Sequence, residues 1–193
     1  EIGMTELYLD EISQFRGTLG LLYYQAQVNE LGLMPLDALQ RAARLTRDKN
    51  RTPMQWDNTA NAGFCPEGTV PWLPVNPDFA LGVNVQEQET DRQSLLNFYR
   101  NLLKLRKSIP ALIAGGYEVY HPRNPRILSF LRQIPGQTCL VALNFSAEKA
   151  GLYLPDVPGE IKVWFSSENT SCEIRPGKQI RLGPFGMVIV ELL

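Results

Sequence analysis

Cleaving a glycosidic or acyl bond takes paired groups: two carboxylates flanking the bond, or a nucleophile with its histidine. The amino-terminal stretch offers Glu1, Glu6, Asp10, Glu11, Asp37, Asp48, Asp57 and Glu67, and their spacing singles out no pair. The sole histidine, His121, sits beside Pro122 at a strand end, where a surface turn explains it better than a catalytic role. No Gly-rich phosphate loop and no strand–GxGxxG–helix unit occurs. Cys65, Cys139 and Cys172 lie far apart without a CxxC pair, which reads as three small thiols rather than a zinc site or a disulfide framework. No metal site and no cofactor is read from the chain.

The densest polar constellation is Arg47-Asp48-Lys49-Asn50-Arg51-Thr52-Pro53-Met54-Gln55-Trp56-Asp57. A guanidinium is a planar fork of donors suited to carboxylates and sugar hydroxyls. Arg47–Asp48 and Arg51–Asp57 are the candidate ion pairs that would pin such a loop, and on composition alone this structural reading outweighs a binding one. Asn50-Arg51-Thr52, Asn144-Phe145-Ser146 and Asn169-Thr170-Ser171 match the glycosylation pattern, which arises often by chance and is discounted here.

The elements around this loop differ in texture along the chain. Leu21, Tyr24, Val28 and Leu31 fall at helical spacing over 18–31, and Pro35 opens a second helix over 35–46 with Leu36, Leu39 and Ala43 on one face. From Asp48 to about Gln88 no period holds. Its prolines and glycines predict a loop, and its aromatics (Trp56, Phe64, Trp72, Phe79) predict an ordered one laid over a larger scaffold. A helix is predicted over 91–107, with Thr90 and Gln93 as a capping box, Leu95, Phe98, Tyr99, Leu102 and Leu105 as its buried stripe, and Pro110 ending it. Beyond Gly115-Gly116, short runs at 117–120, 127–133, 138–145, 150–154, 161–165, 179–182 and 187–192 alternate with turn residues, which predicts an antiparallel sandwich.

Composition narrows the function classes. The 193 residues are 44% hydrophobic and 20% charged, an ordinary globular balance. A net charge of −1 argues against a nucleic-acid partner. No apolar run approaches a membrane span, and no secretory signal is seen, so a cytoplasmic location is expected. The first residue is Glu1 rather than Met, which reads as a processed start or a piece of a longer protein.

Arg51-Thr52-Pro53-Met54-Gln55-Trp56-Asp57, followed by Asn61-Ala62-Gly63-Phe64, resembles a signature of α-glucosidases in the α-amylase superfamily, glycoside hydrolase family thirteen. Other stretches agree in order. Glu1-Ile2-Gly3-Met4 resembles the segment after the eighth barrel strand. Pro71-Trp72-Leu73-Pro74-Val75-Asn76-Pro77 resembles the loop that follows, and Ser94 to Gly116 the final barrel helix. Leu182 to Leu193 resembles the closing strand of the C-terminal β domain. The resemblance covers essentially the whole chain.

It implies an α + β fragment: the last helices and loop of a TIM (β/α)8 barrel over 1–116, carrying a substrate-pocket loop, then an all-β sandwich called domain C over 117–193. It implies a retaining, exo-acting α-glucosidase of short α-linked glucosides, whose catalytic carboxylates would all precede Glu1, so that the chain alone is inactive. One functional residue is carried over: Arg51, reaching the terminal glucose in the −1 pocket. Arg47 and Asp48 would hold the loop's shape, and Trp56 would pack beneath it. The partners implied are a small oligosaccharide or disaccharide and the missing barrel portion. The alternatives are a glucosyl-transferring isomerase, such as a sucrose isomerase or trehalose synthase, and a non-catalytic β module that binds a partner. Without barrel strands under helix 91–107, residues 1–90 are expected to be loosely ordered while 117–193 fold.

Overall fold

The computed structural model describes residues 1–193 except 122, 157–158, 168–169, 172–176 and 178. Cys172, the Asn169 tripeptide, and the turn prolines Pro122, Pro158 and Pro176 therefore lie outside the described residues, in whole or in part. The chain divides into two compact units, Glu1–Asn101 and Leu102–Leu193.

In the first unit, α1 (Thr18–Asn29) and α2 (Pro35–Leu45) form a hairpin. Pro35 stands in the first turn of α2, where its missing N–H costs nothing. The packed face of α2 is Ala38, Ala42 and Ala43 with half-buried Leu39, whereas Leu36 is exposed. Small side chains there let the hairpin close onto Leu9, Phe15 and Leu73, with Leu21 and Tyr24 of α1 against the same cluster. Leu31 falls beyond the end of α1 and is exposed, so the predicted stripe stops one turn early. Residues 1–90 thus have a small core of their own around Leu9, Phe15 and Leu73.

The long loop is ordered, through 3-10 turns at Arg47–Asn50 and Pro77–Leu81, a tight turn at Ala60–Gly63 and the short α3 (Val85–Thr90). The following helix, α4, runs from Leu95 to Ser108. Its cap is not the expected Thr90–Gln93 box. Thr90 ends α3, and Ser94 caps α4 instead, its Oγ accepting from the Asn97 N–H at 3.2 Å. The expected buried stripe is largely uncovered: Leu95, Phe98 and Tyr99 are exposed, Leu102 and Leu105 half-buried, and the neighbouring Leu96 is the buried one.

In the second unit, α5 (Pro110–Ala114) precedes β1 (Gly116–Val119), β2 (Ile127–Ile134), β3 (Gln137–Asn144), β4 (Ala150–Tyr153), β5 (Ile161–Ser166), β6 (Thr170–Ser171), β7 (Gln179–Leu182) and β8 (Met187–Leu192). All pairings are antiparallel, in a sheet ordered β1-β2-β3-β8-β5 and a second ordered β4-β7-β6. Alternation along the strands makes the core between the sheets. Ile127, Leu131, Leu140, Ala142, Val188 and Val190 of the larger sheet meet Ala150, Leu152, Ile180 and Leu182 of the smaller. The opposite face of the larger sheet, through Cys139 and Val141, is covered by Ile109, Ala111 and Leu112. This is the antiparallel sandwich that the turn spacing predicts, with α5 bound to it.

Candidate functional site: the Arg51–Asp57 loop

The loop is pinned by buried polar side chains and by one ion pair, Lys49 Nζ to Glu6 at 2.8 Å. Asp48 is 2% exposed, and its Oδ2 accepts from the Arg16 and Gly17 N–H groups at 2.8 and 2.7 Å. Thr46, also buried, accepts from the Asp48 N–H and caps the turn. Gly17 and Gly20 keep this junction tight: a Cβ on Gly20 would meet Phe15 and Thr46 at 2.8 Å. The expected pairs Arg47–Asp48 and Arg51–Asp57 do not form, because each carboxylate is taken by nearer donors. Asp57 accepts from the Thr59 N–H and Oγ1, and these two bonds hold its carboxyl below the usual range.

Gln55 anchors the middle of the motif. It is fully buried, and its Nε2 donates to Asn76 O and, at 2.6 Å, to Asp78 Oδ1. Asp78 Oδ2 in turn accepts from Thr5, and Asn76 Nδ2 donates to Thr5 O. The Gln55 and Trp56 carbonyls accept from the Val85 and Gln86 N–H groups. The sequence places these partners twenty or more residues away in a stretch without periodicity, so the motif's own spacing does not point to them.

The end of the motif is a left-handed turn. Asn61, Ala62 and Gly63 have φ of 53°, 53° and 65°. The Ala62 carbonyl accepts from both Trp56 and Asp57 N–H groups, and Asn61 Nδ2 donates to Pro66 O and Thr69 O. Two non-glycine residues in this region cost energy that the surrounding bonds must offset.

Against this frame the candidate residues fall as follows. Arg51 is exposed, and among the described residues no hydrogen bond or ion pair takes its guanidinium. Its backbone is fixed at both ends: its N–H donates to Asp48 O at 2.9 Å, and its carbonyl accepts from Trp72 Nε1 at 3.0 Å. Arg47 is exposed and does not hold the loop; Asp48 does. Trp56 is 50% exposed and does not pack beneath the loop as expected. Asn50, Thr52 and Met54 line a depression of about 340 Å³ with Met4 and Thr5. Asn144 is buried, its Nδ2 donating to Glu148, Leu182 and Gly183 carbonyls, so the fold consumes that amide. His121 stands exposed in a left-handed turn, with its ring edge-on to Tyr120. Among the described residues no cluster of His, Cys, Asp and Glu could hold a metal, and no helix is long and apolar enough to cross a membrane.

Residues 1–115 match the family described as Alpha amylase, catalytic domain, and residues 117–189 match Maltogenic Amylase, C-terminal domain. The oligo-1,6-glucosidase of Parageobacillus thermoglucosidasius is 34% identical over 186 residues, 96% of this chain and 33% of that protein. The trehalose-6-phosphate hydrolase of Bacillus subtilis (strain 168) is 33% identical over 195 residues, 100% of this chain and 34% of that protein. Among solved structures, a trehalulose synthase variant in complex with Tris superposes with a TM-score of 0.84 at 31% identity, over 98% of this chain and 34% of that one. The isomaltulose synthase of Klebsiella sp. LX3 superposes with a TM-score of 0.81 at 26% identity, over 100% of this chain and 34% of that one. The chain spans about a third of the length of these curated relatives. On these matches and on the loop that carries the motif, the chain belongs to the α-amylase family of glycoside hydrolases, whose C-terminal part it represents.

Proposed function

We propose that this chain is the C-terminal part of a retaining, exo-acting α-glucosidase of short α-linked glucosides, and that it contributes Arg51 to the pocket for the terminal glucose. In this reading residues 1–116 complete the barrel and carry the pocket loop, and 117–193 form domain C; the family matches on either side of residue 116 support that division. The single observation that carries the reading is the Arg51 guanidinium. It is held on a backbone fixed by two hydrogen bonds, yet it is exposed and without a partner among the described residues. A fork of five donors on a rigid loop can bind sugar hydroxyls or a carboxylate brought by the rest of a barrel. The chain supplies positioning here. The carboxylate pair that retention requires would come from the barrel portion preceding it.

The relatives named oligo-1,6-glucosidase support hydrolysis of short glucosides. The structural likeness to trehalulose and isomaltulose synthases favours a second reading, glucosyl transfer within a disaccharide. A cytoplasmic location belongs to the same proposal. The test is nitrophenol release from 4-nitrophenyl α-glucoside by the 193-residue chain and by the full-length protein. The full-length protein should turn over and the chain should not. Turnover by the chain that survives repurification would mean that a carboxylate pair lies within these residues, and would overturn the proposal.

A further inference from the structure

Four hydrogen-bonding steps close a ring around the backbone of Arg51. The Arg51 N–H donates to Asp48 O at 2.9 Å. The Asp48 carboxylate accepts from the Arg16 N–H at 2.8 Å. The Arg16 Nε–H donates to Trp72 O at 3.2 Å. Trp72 Nε1–H then donates to Arg51 O at 3.0 Å, which closes the ring.

The ring joins three segments, the entry to α1, the 3-10 turn before the motif and the Pro71–Pro77 stretch, the first and last of which also meet through Phe15 and Leu73 in one apolar cluster. Each member is itself fixed. Asp48 is buried, and the Arg16 guanidinium also donates to the Ser13 and Phe15 carbonyls. The Trp72 ring is edge-on to Phe64, with centroids 5.0 Å apart. Trp72 is half exposed, so its ring packs on one side while its Nε1–H is turned to the Arg51 carbonyl. What its one donor does is fix the peptide plane that follows Arg51.

We infer that Trp72 is a positioning residue for Arg51, and that Arg16 holds Trp72 in place for it. The inference rests on the proposed role of Arg51 at the terminal glucose. With the peptide planes on both sides of it tied, Arg51 can place its guanidinium without having to order its backbone on each binding event. The ring also ties that placement to the entry of α1, so the hairpin and the sugar-binding arginine are fixed together.

The test compares Trp72→Phe, Arg16→Lys and Arg51→Ala in the full-length protein. Trp72→Phe keeps an aromatic ring and removes the donor. Arg16→Lys keeps the charge and removes the planar fork. Losing one hydrogen bond that orders a binding group should raise KM roughly three- to tenfold in Trp72→Phe, with kcat within about twofold. Arg16→Lys should move KM in the same direction by less. In the chain itself, hydrogen exchange at the Arg51 amide should accelerate in Trp72→Phe, while amides of β3 and β8 keep their rates. An unchanged KM and unchanged Arg51 exchange in Trp72→Phe, beside an Arg51→Ala protein that has lost activity, would overturn the positioning role alone. An Arg51→Ala protein of full activity would overturn the reading beneath it, and the positioning role with it.

Discussion

Replacing Asp48 by alanine removes the carboxylate that ties the Arg47–Asn50 turn to the entry of α1. Asp48 is 2% exposed, and one oxygen accepts two backbone N–H groups at 2.8 and 2.7 Å. A hydrogen bond to a charged group contributes about 1.5–3 kcal/mol. Water reaches part of the Arg16 junction once the side chain is gone, which favours the lower figure for each bond. The loss in Asp48→Ala should therefore be about 3 kcal/mol. Asp48→Asn keeps an acceptor without its charge and should lose about half as much. The loss belongs to the unit Glu1–Asn101, where every partner of Asp48 lies. Hydrogen exchange followed by mass spectrometry reads the two units separately. About 3 kcal/mol is roughly a hundredfold faster opening over residues 15–51. Peptides from 127–144 and 179–192 should keep their rates. If residues 15–51 exchange as in the unaltered chain, Asp48 is not the pin, and an ion pair with Arg47 or another contact must hold the turn.

Three further outcomes follow from the packing. Ile180→Ala or Leu182→Ala, each at a fully buried position between the two sheets, should lower the stability of the β unit by about 2–5 kcal/mol in urea unfolding, without changing exchange over residues 15–51. Gly63→Ala puts a Cβ about 2.5 Å from the Asp57 carboxylate at a φ of 65° and should destabilise the motif turn by more than about 1 kcal/mol, seen as faster exchange at Trp56 and Asp57 amides. Burial, and then the Glu191 charge, push the Cys139 thiol up to about 11 from an ordinary 9.0. A thiol raised by folding stays protonated in the native chain while the unfolded chain ionises. Stability should then fall between about pH 9 and pH 11, and Cys139→Ala should make that slope shallower in thermal melts, the remainder coming from phenols that folding also raises, Tyr120 by burial among them. In the native chain Cys65 should alkylate before Cys139, which is buried.

The β unit was the most legible part of the sequence. Seven of its strands lie within a residue or two of the alternating runs, because turn residues bound them and one face of each sheet is buried. The two-residue β6 has too little pattern to read. The helices were legible in type but less so in detail. α2 packs through alanines, whose low hydrophobicity hid the true face, and Leu36 and Leu31 were drawn into stripes that the hairpin leaves in solvent. The Thr90–Gln93 box satisfied the capping pattern, but Ser94 provides the cap, since α3 reaches Thr90. Arg51 stood out because its motif is specific. Its supports did not: Arg16, Trp72, Asp78 and Thr5 lie far from the motif in sequence, and their roles arise only when the loop closes. Charge adjacency likewise suggested ion pairs with Asp48 and Asp57, whereas backbone donors, being closer and already oriented, took both carboxylates.

The most direct test of the role given to this loop is kcat/KM of the full-length protein with and without Arg51→Ala, on 4-nitrophenyl α-glucoside and on a short α-linked glucoside. The side chain is exposed and takes no partner among the described residues, so its removal should leave the urea midpoint of the 193-residue chain unchanged. The expected result is a fall in kcat/KM of roughly a hundredfold on both substrates, the scale of a lost charge-assisted contact of about 3 kcal/mol. Equal kcat/KM in the two proteins would contradict it, and would leave the exposed guanidinium without a part in sugar binding.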